Sequence, residues 1–136
     1  MQAQKEKQNM QIRIDAGALS VTARLDDTVT AQKIAAILPI EGRANRWGEE
    51  IYFEIPAEIP LDADAREEVP VGTLAYWPTG RAMCIFFGPT PVSVTDQPRA
   101  YSPVNVFGRI IEDATLLKQV QDGTIIKVYL IMTPAA

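Results

Sequence analysis

The polar residues best placed to do chemistry fall in one stretch, Arg46-Trp47-Gly48-Glu49-Glu50-Ile51-Tyr52-Phe53-Glu54-Ile55. Its period-two pattern sets Glu50, Tyr52 and Glu54 on one face of a strand and Ile51, Phe53 and Ile55 on the other. With the apolar set turned into a core, the Glu50–Tyr52–Glu54 face points outward. A solvated acidic face is the simpler expectation, because glutamate is rarely buried. With Arg46 close by, Glu50 or Glu54 would instead make a polar anchor for a ligand. Arg46 and Trp47 themselves could form a cation–aromatic shelf, against which stands Trp47 packed at one end of the fold and Arg46 paired to an acid.

Tyr76, Trp77, Cys84, Phe86 and Phe87 make two aromatic-rich strands. Phe86 and Phe87 must face opposite ways, so one of them is a candidate groove residue. Asn105 and Arg109 are expected on one face of a later strand, with Phe107 between them. The Asn105 amide needs partners wherever it is buried, and Arg109 suggests an ion pair with Glu112 or Asp113. The acids Asp62, Asp64, Glu67 and Glu68 lack the ligand spacing and Gly turn of a calcium loop and read as a solvated connection.

Histidine is absent, which excludes Ser-His-Asp and Cys-His catalysis, His-ligated zinc and imidazole acid–base work. Cys84 is the only cysteine, so no internal disulfide and no thiolate metal cluster is expected. Without an imidazole to activate it, the thiol reads as a small buried hydrophobe. No metal or cofactor is expected. The net charge of −4 argues against phosphate-driven nucleic-acid binding. No apolar run suits a membrane span, and the polar start MQAQKEKQN has no signal-peptide core. A cytoplasmic location follows as the default.

Of the 136 residues, 1–10 read as a disordered polar tail and 11–136 as one domain. Alternation of Ile12 and Ile14, then of Leu19, Val21, Ala23 and Leu25, predicts a hairpin around Asp15-Ala16-Gly17. Thr28 or Thr30 would cap a helix over Ala31–Leu38, stopped by Pro39. A loop over Glu41–Gly48 leads to the strand Glu49–Ile55, and Ala57–Val71 reads as a surface connection. Strands are expected at Thr73–Trp77 and Ala82–Phe87, with a turn at Pro78-Thr79-Gly80. Gly88–Pro103 reads as a long loop with one short strand at Val92–Val94; a loop of that length is often functional. The remainder is a strand over Val104–Ile111, a helix over Ala114–Gln121 with Leu116, Leu117 and Val120 inward, and a strand over Thr124–Met132. These elements suggest a mainly β fold, a closed β-barrel of about eight strands with two short helices at its ends.

Two segments, Gly72–Phe87 (GTLAYWPTGRAMCIFF) and Val106–Val120 (VFGRIIEDATLLKQV), resemble the cyclophilin barrel. The phrases Arg46–Pro56 (RWGEEIYFEIP) and Phe86–Pro91 (FFGPTP) resemble more closely a small prokaryotic cyclophilin-like family of largely unassigned function. The resemblance implies a cyclophilin-like barrel. It also marks departures: Phe53 stands near the isomerase arginine, Ile85 at its glutamine, and Val104 near its loop histidine.

The expected function is therefore a binding module for a small ligand or short peptide at an aromatic-lined groove without the usual isomerase residues. Arg46, Trp47, Glu50, Tyr52, Tyr76, Phe87 and Asn105 are the candidate ligand contacts. A peptidyl-prolyl isomerase with a substituted site is the second expectation. A domain that docks to a protein partner, related to amide-hydrolysing systems, is the third.

Overall fold

The computed structural model describes residues 10–132. The polar tail expected over residues 1–10 lies outside them except for Met10, which packs against the core and accepts a hydrogen bond from Leu25 N.

The expected hairpin forms as β1 (Gln11–Ala16) and β2 (Leu19–Leu25), with Gly17 at φ +62° in its turn. Register places Ile12 against Ala23 and Ile14 against Val21, so one face is wholly apolar. Helix α1 (Val29–Ala36) starts slightly earlier than the sequence suggests. Thr28 is its N-cap and accepts from Ala31 N at 3.0 Å, which frees Thr30 to turn into the core.

The chain continues through β3 (Ile40–Arg43), β4 (Asn45–Arg46), β5 (Glu50–Glu54), β6 (Arg66–Glu68), β7 (Thr73–Trp77), β8 (Ala82–Phe86), β9 (Arg99–Ile110) and β10 (Ile125–Met132). Strand order is β3-β10-β1-β2-β9-β7-β8-β5-β4, and β6 pairs with β9 off this path. The fold is thus mainly β, but the expected closed barrel of about eight strands is corrected on two points. There are 10 strands among the described residues. The two ends of the path, β3 and β4, are not hydrogen-bonded to each other; they are consecutive in the chain, with only the buried Ala44 between them. No helix among the described residues is long and apolar enough to cross a membrane.

The additional strands are short ones in or bordering expected loops: β3 begins at Ile40, one residue before the loop over 41–48, β4 lies within that loop, and β6 lies within residues 57–71. No strand forms at Val92–Val94. Strand β9 starts five residues before Val104, running through Pro103. Proline is tolerated there because the β6–β9 ladder shifts register between its Arg66–Val104 and Glu68–Arg99 pairs.

Two apolar clusters result. The main core collects the inner faces of β1, β2, β5, β7, β8, β9 and β10 with Ile34 of α1. The second lies on the other face of β7 and β8 and contains Val69, Ala75, Cys84, Phe86, Ala100 and Val104. Its cover is β6 and the first half of β9. Strand β9 therefore serves two layers: Arg99–Val104 pairs with β6, and the half from Asn105 onward pairs with β7 and β2.

A bulge breaks the simple alternation of β9. Leu74 pairs with Gly108 but Ala75 pairs with Val106, leaving Phe107 as the extra residue. Asn105, Phe107 and Ile110 consequently lie buried while Arg109 is exposed, which corrects the expected Asn105–Arg109 face. No Arg109 ion pair forms among the described residues; Glu112 instead accepts from Thr22 N and Thr22 Oγ1. The last helix is a 3-10 segment, Ala114–Gln119, capped by Asp113. At three residues per turn Leu117 and Val120 align inward, and Leu116 is left exposed.

Asn105 is fully buried and structural. Its Oδ1 accepts from Asp62 N, and its Nδ2 donates to Pro60 O and Thr30 Oγ1. One amide thereby ties β9 to α1 and to the connection between β5 and β6. Replacing it leaves one donor, Asp62 N, and two acceptors, Pro60 O and Thr30 Oγ1, without this partner, at roughly 1–3 kcal/mol for each that stays unsatisfied. Asn105→Ala is expected to lower unfolding free energy by about 2–4 kcal/mol, measured by urea denaturation.

Candidate functional site

Strand β5 begins at a tight reversal. Trp47 N donates to Glu50 O at 3.0 Å and Glu50 N donates to Trp47 O at 3.2 Å, with Gly48 and Glu49 between. Gly48 has φ +60°, and a Cβ there would lie 2.8 Å from Pro91 Cδ and 2.9 Å from Thr90 Cα. Both the turn and the close approach of the residue 89–91 backbone require glycine. The reversal sets Trp47 directly across from Glu50.

From Glu50 the alternation runs as the sequence suggests. Ile51, Phe53 and Ile55 enter the main core, and Glu50, Tyr52 and Glu54 take the opposite face. That face is not uniformly solvated. Glu54 is exposed, but Tyr52 is half-buried and Glu50 is only 4% exposed. Antiparallel pairing puts Tyr52 against Cys84, and Cys84 in turn against Ala75. The first half of β9 then crosses above, fastened by a 2.7 Å hydrogen bond from Trp77 Nε1 to Ser102 Oγ. Its far end is held by the Arg99–Glu67 ion pair at 2.8 Å and by Thr90 Oγ1 donating to Arg99 O.

Between these layers is a pocket of about 160 Å³ lined by Trp47, Glu50, Tyr52, Trp77, Cys84, Ala100, Tyr101 and Val104. Four aromatic rings follow one another around it. Trp47 to Tyr101, Tyr101 to Trp77 and Trp77 to Tyr52 each have centroids 6.1 Å apart and meet edge to face. Tyr101 is the outermost ring, 70% exposed.

Glu50 is the unusual component. Its Oε1 is buried without a hydrogen-bond partner, although such groups almost always find one. The Cys84 thiol beside it is a weak donor and offsets little. Burial pushes the Glu50 carboxyl up to about 8, so the group is protonated at neutral pH. Burial and the neighbouring Glu50 together push the Cys84 thiol well above its ordinary value, which leaves it unreactive. No group of three or more Cys, Asp or Glu among the described residues is arranged to hold a metal ion.

The pocket brings together Trp47, Glu50 and Tyr52 of the candidate ligand contacts and leaves out the other four. Arg46 pairs with Ile51 on the main-core side, its guanidinium donating to the carbonyls of Gly48, Lys118 and Val120 and lying 5.0 Å over the Phe87 ring. Phe87 itself is in the main core, and Phe86 fills the second cluster, so neither phenylalanine reaches a groove. Tyr76 is fully buried, donating to Ala57 O and accepting from Ile59 N. Asn105 is the structural amide described above. Trp77, Cys84 and Tyr101 complete the lining. Only the length of the Gly88–Pro103 loop hinted that Tyr101 mattered.

A mainly β chain with an apolar core and a second, aromatic-lined pocket on its outer face is the class these features define. The family model described as cyclophilin-like matches residues 10–129, and the chain belongs to that family. It is similar to the solution structure of the hypothetical protein AF2241 from Archaeoglobus fulgidus. The two are 37% identical, with a TM-score of 0.78 over 92% of this chain and 97% of that one. No functionally curated protein matches the chain.

The Glu50 shift has a measurable sign. The folded protein holds a proton on Glu50 up to pH about 8, whereas the unfolded chain releases it near 4.5. Between those values the native state binds more protons, so this group's contribution to stability falls as pH rises and levels off above about 8. The full span is on the order of 5 kcal/mol. Glu50→Gln is expected to flatten the stability curve between pH 5 and 8 relative to wild type, measured by denaturant melts across that range.

Proposed function

We propose that this protein is a small-molecule binding protein whose site is the pocket between β5, β7, β8 and the first half of β9. The observation that carries the reading is the unpartnered Glu50 carboxyl enclosed by four aromatic rings. A buried carboxyl oxygen without a protein partner carries a desolvation cost, and a ligand that donates a hydrogen bond to it offsets that cost. The volume favours a small ligand over a peptide. About 160 Å³ is close to cavities that just accept benzene, so a peptide could insert no more than one side chain. The reading includes a cytoplasmic setting, in keeping with a single unpaired cysteine.

Prolyl isomerisation finds less support. Phe53 and Ile85, at the positions where cyclophilin isomerases carry their arginine and glutamine, are both in the main core, and Val104 is in the second cluster. No oriented side-chain donor replaces them there, and losing one such donor costs roughly 3 kcal/mol of transition-state stabilisation. An Ala-Pro test peptide is expected to isomerise at its uncatalysed rate in the presence of the protein.

The chain has 2 tryptophans and both line the pocket, so the indole N–H signals report on this site alone. A fragment screen followed by 15N-resolved NMR is expected to yield ligands that shift both indoles. Trp77→Leu should weaken those ligands at least tenfold. Hits that leave both indoles unmoved and map elsewhere would argue against the pocket.

A further inference from the structure

Resting on the small-molecule reading, we propose a ligand class: a small protonated amine whose alkyl groups contact Trp47, Tyr52, Trp77 and Tyr101 and whose N–H is donated to Glu50 Oε1. Aromatic ring faces carry negative potential and attract a cation within about 6 Å of their centroids, most strongly in a desolvated site. Here four rings surround a space the size of a few alkyl groups. The one acidic side chain in that space is buried and lacks a donor. Neither a lysine nor an arginine lines the pocket to neutralise it. Cations on the neighbouring segments are committed elsewhere: Arg46 to three backbone carbonyls, Lys118 to Glu49 at 3.7 Å and Arg99 to Glu67 at 2.8 Å. The pocket thus offers the acceptor and the ring faces that a small ammonium requires.

The orphan acceptor narrows the class further. A quaternary ammonium would gain the ring contacts but has no N–H, so Oε1 would stay unsatisfied. A tertiary, secondary or primary ammonium supplies that hydrogen bond in its charge-assisted form. A neutral alcohol of the same shape supplies a donor but neither the charge nor the charge-assisted bond.

Binding is coupled to one proton. In the free protein Glu50 is protonated up to about pH 8. An ammonium in contact with the carboxyl stabilises its ionised form, so below that pH the carboxyl loses its proton to solvent as the cation enters. The other ionisable groups facing Glu50 are Tyr52 on its own strand, Cys84 on β8 and Tyr101 on β9. Cys84 stays protonated throughout, its thiol being held well above the ordinary range.

Calorimetric titration of the full chain with trimethylammonium chloride tests this, run at pH 6, 7, 8 and 9 in buffers of different ionisation heat. The expected result is release of about one proton per amine at pH 6 to 7, falling toward none at pH 9. Affinity should rise by up to roughly tenfold per pH unit between 6 and 8. Tetramethylammonium and tert-butanol should each bind at least tenfold more weakly at pH 8. Glu50→Gln should abolish the pH dependence; the wild-type proton count stands independently of whether that variant folds. If tert-butanol binds as well as the amine and shifts both indoles at every pH, the amine inference is overturned and the small-molecule pocket stands. If amine binds without proton release, or no more tightly than tetramethylammonium, the Glu50 contact is overturned. If no probe moves either indole, the pocket reading falls and the amine inference with it.

Discussion

Burial of both faces of β7 and β8 is the constraint on which the rest of this structure depends. Every residue of β8 is buried, as are Thr73–Tyr76 of β7. A sheet buried on one side only would carry polar residues at Ala75, Cys84 and Phe86; these positions are apolar and must be covered. The barrel-like core covers the inner face. The outer face needs a second layer, and the chain supplies it by sending β6 and the early part of β9 across the sheet. The pocket is what remains where that cover does not quite meet β5.

The same constraint accounts for the electrostatics. Glu50 lies at the margin of the covered area, on a strand whose far end, at Glu54, is in water. Its carboxyl is enclosed because Trp47 is folded back over it by the Gly48 turn and because Tyr101 arrives from a distant part of the chain. Neither neighbour is ionic, so burial is uncompensated and the proton is retained. In the same layer Arg99 is matched to Glu67, and in the interior the Asn105 amide is matched to three partners. Among the described residues Glu50 is the buried side chain left unmatched, and it faces the pocket.

Much of the fold was legible because its signals are local. The first hairpin, the Thr28 cap, the inward set Ile51–Phe53–Ile55 and the strand pair Thr73–Trp77 and Ala82–Phe86 follow from alternation and punctuation within a few residues. The site was only half legible. Glu50 and Tyr52 were marked by their shared strand face and Trp47 by its place beside Arg46, but the pocket they line is completed by Tyr101, about fifty residues later in a segment whose prolines read as loop. Alternation cannot show that an outer face is covered by a second layer, which is why a solvated face was the simpler expectation. The bulge at Phe107 defeated a parity argument for Arg109 in the same manner: one extra residue exchanges the two faces of a strand. Phe87, Tyr76 and Asn105 were correctly seen as aromatic or polar but are buried by the main core, where residue type alone does not separate packing from recognition.

The outer wall of the pocket is a beam supported at both ends. Strand β9 is 12 residues long; one end continues into the main sheet, and the other is fixed to β6 and to the loop at Thr90. The Trp77–Ser102 bond braces it in the middle. Such a wall does not swing open as a hinged lid would, and the Tyr101 ring it carries is already in position before anything arrives. Association then involves little ordering of the protein, so the free energy of contact is retained as affinity rather than spent on closing a loop. A wall that does not yield also makes the cavity a size filter, in which one extra carbon too many is excluded by strain instead of accommodated.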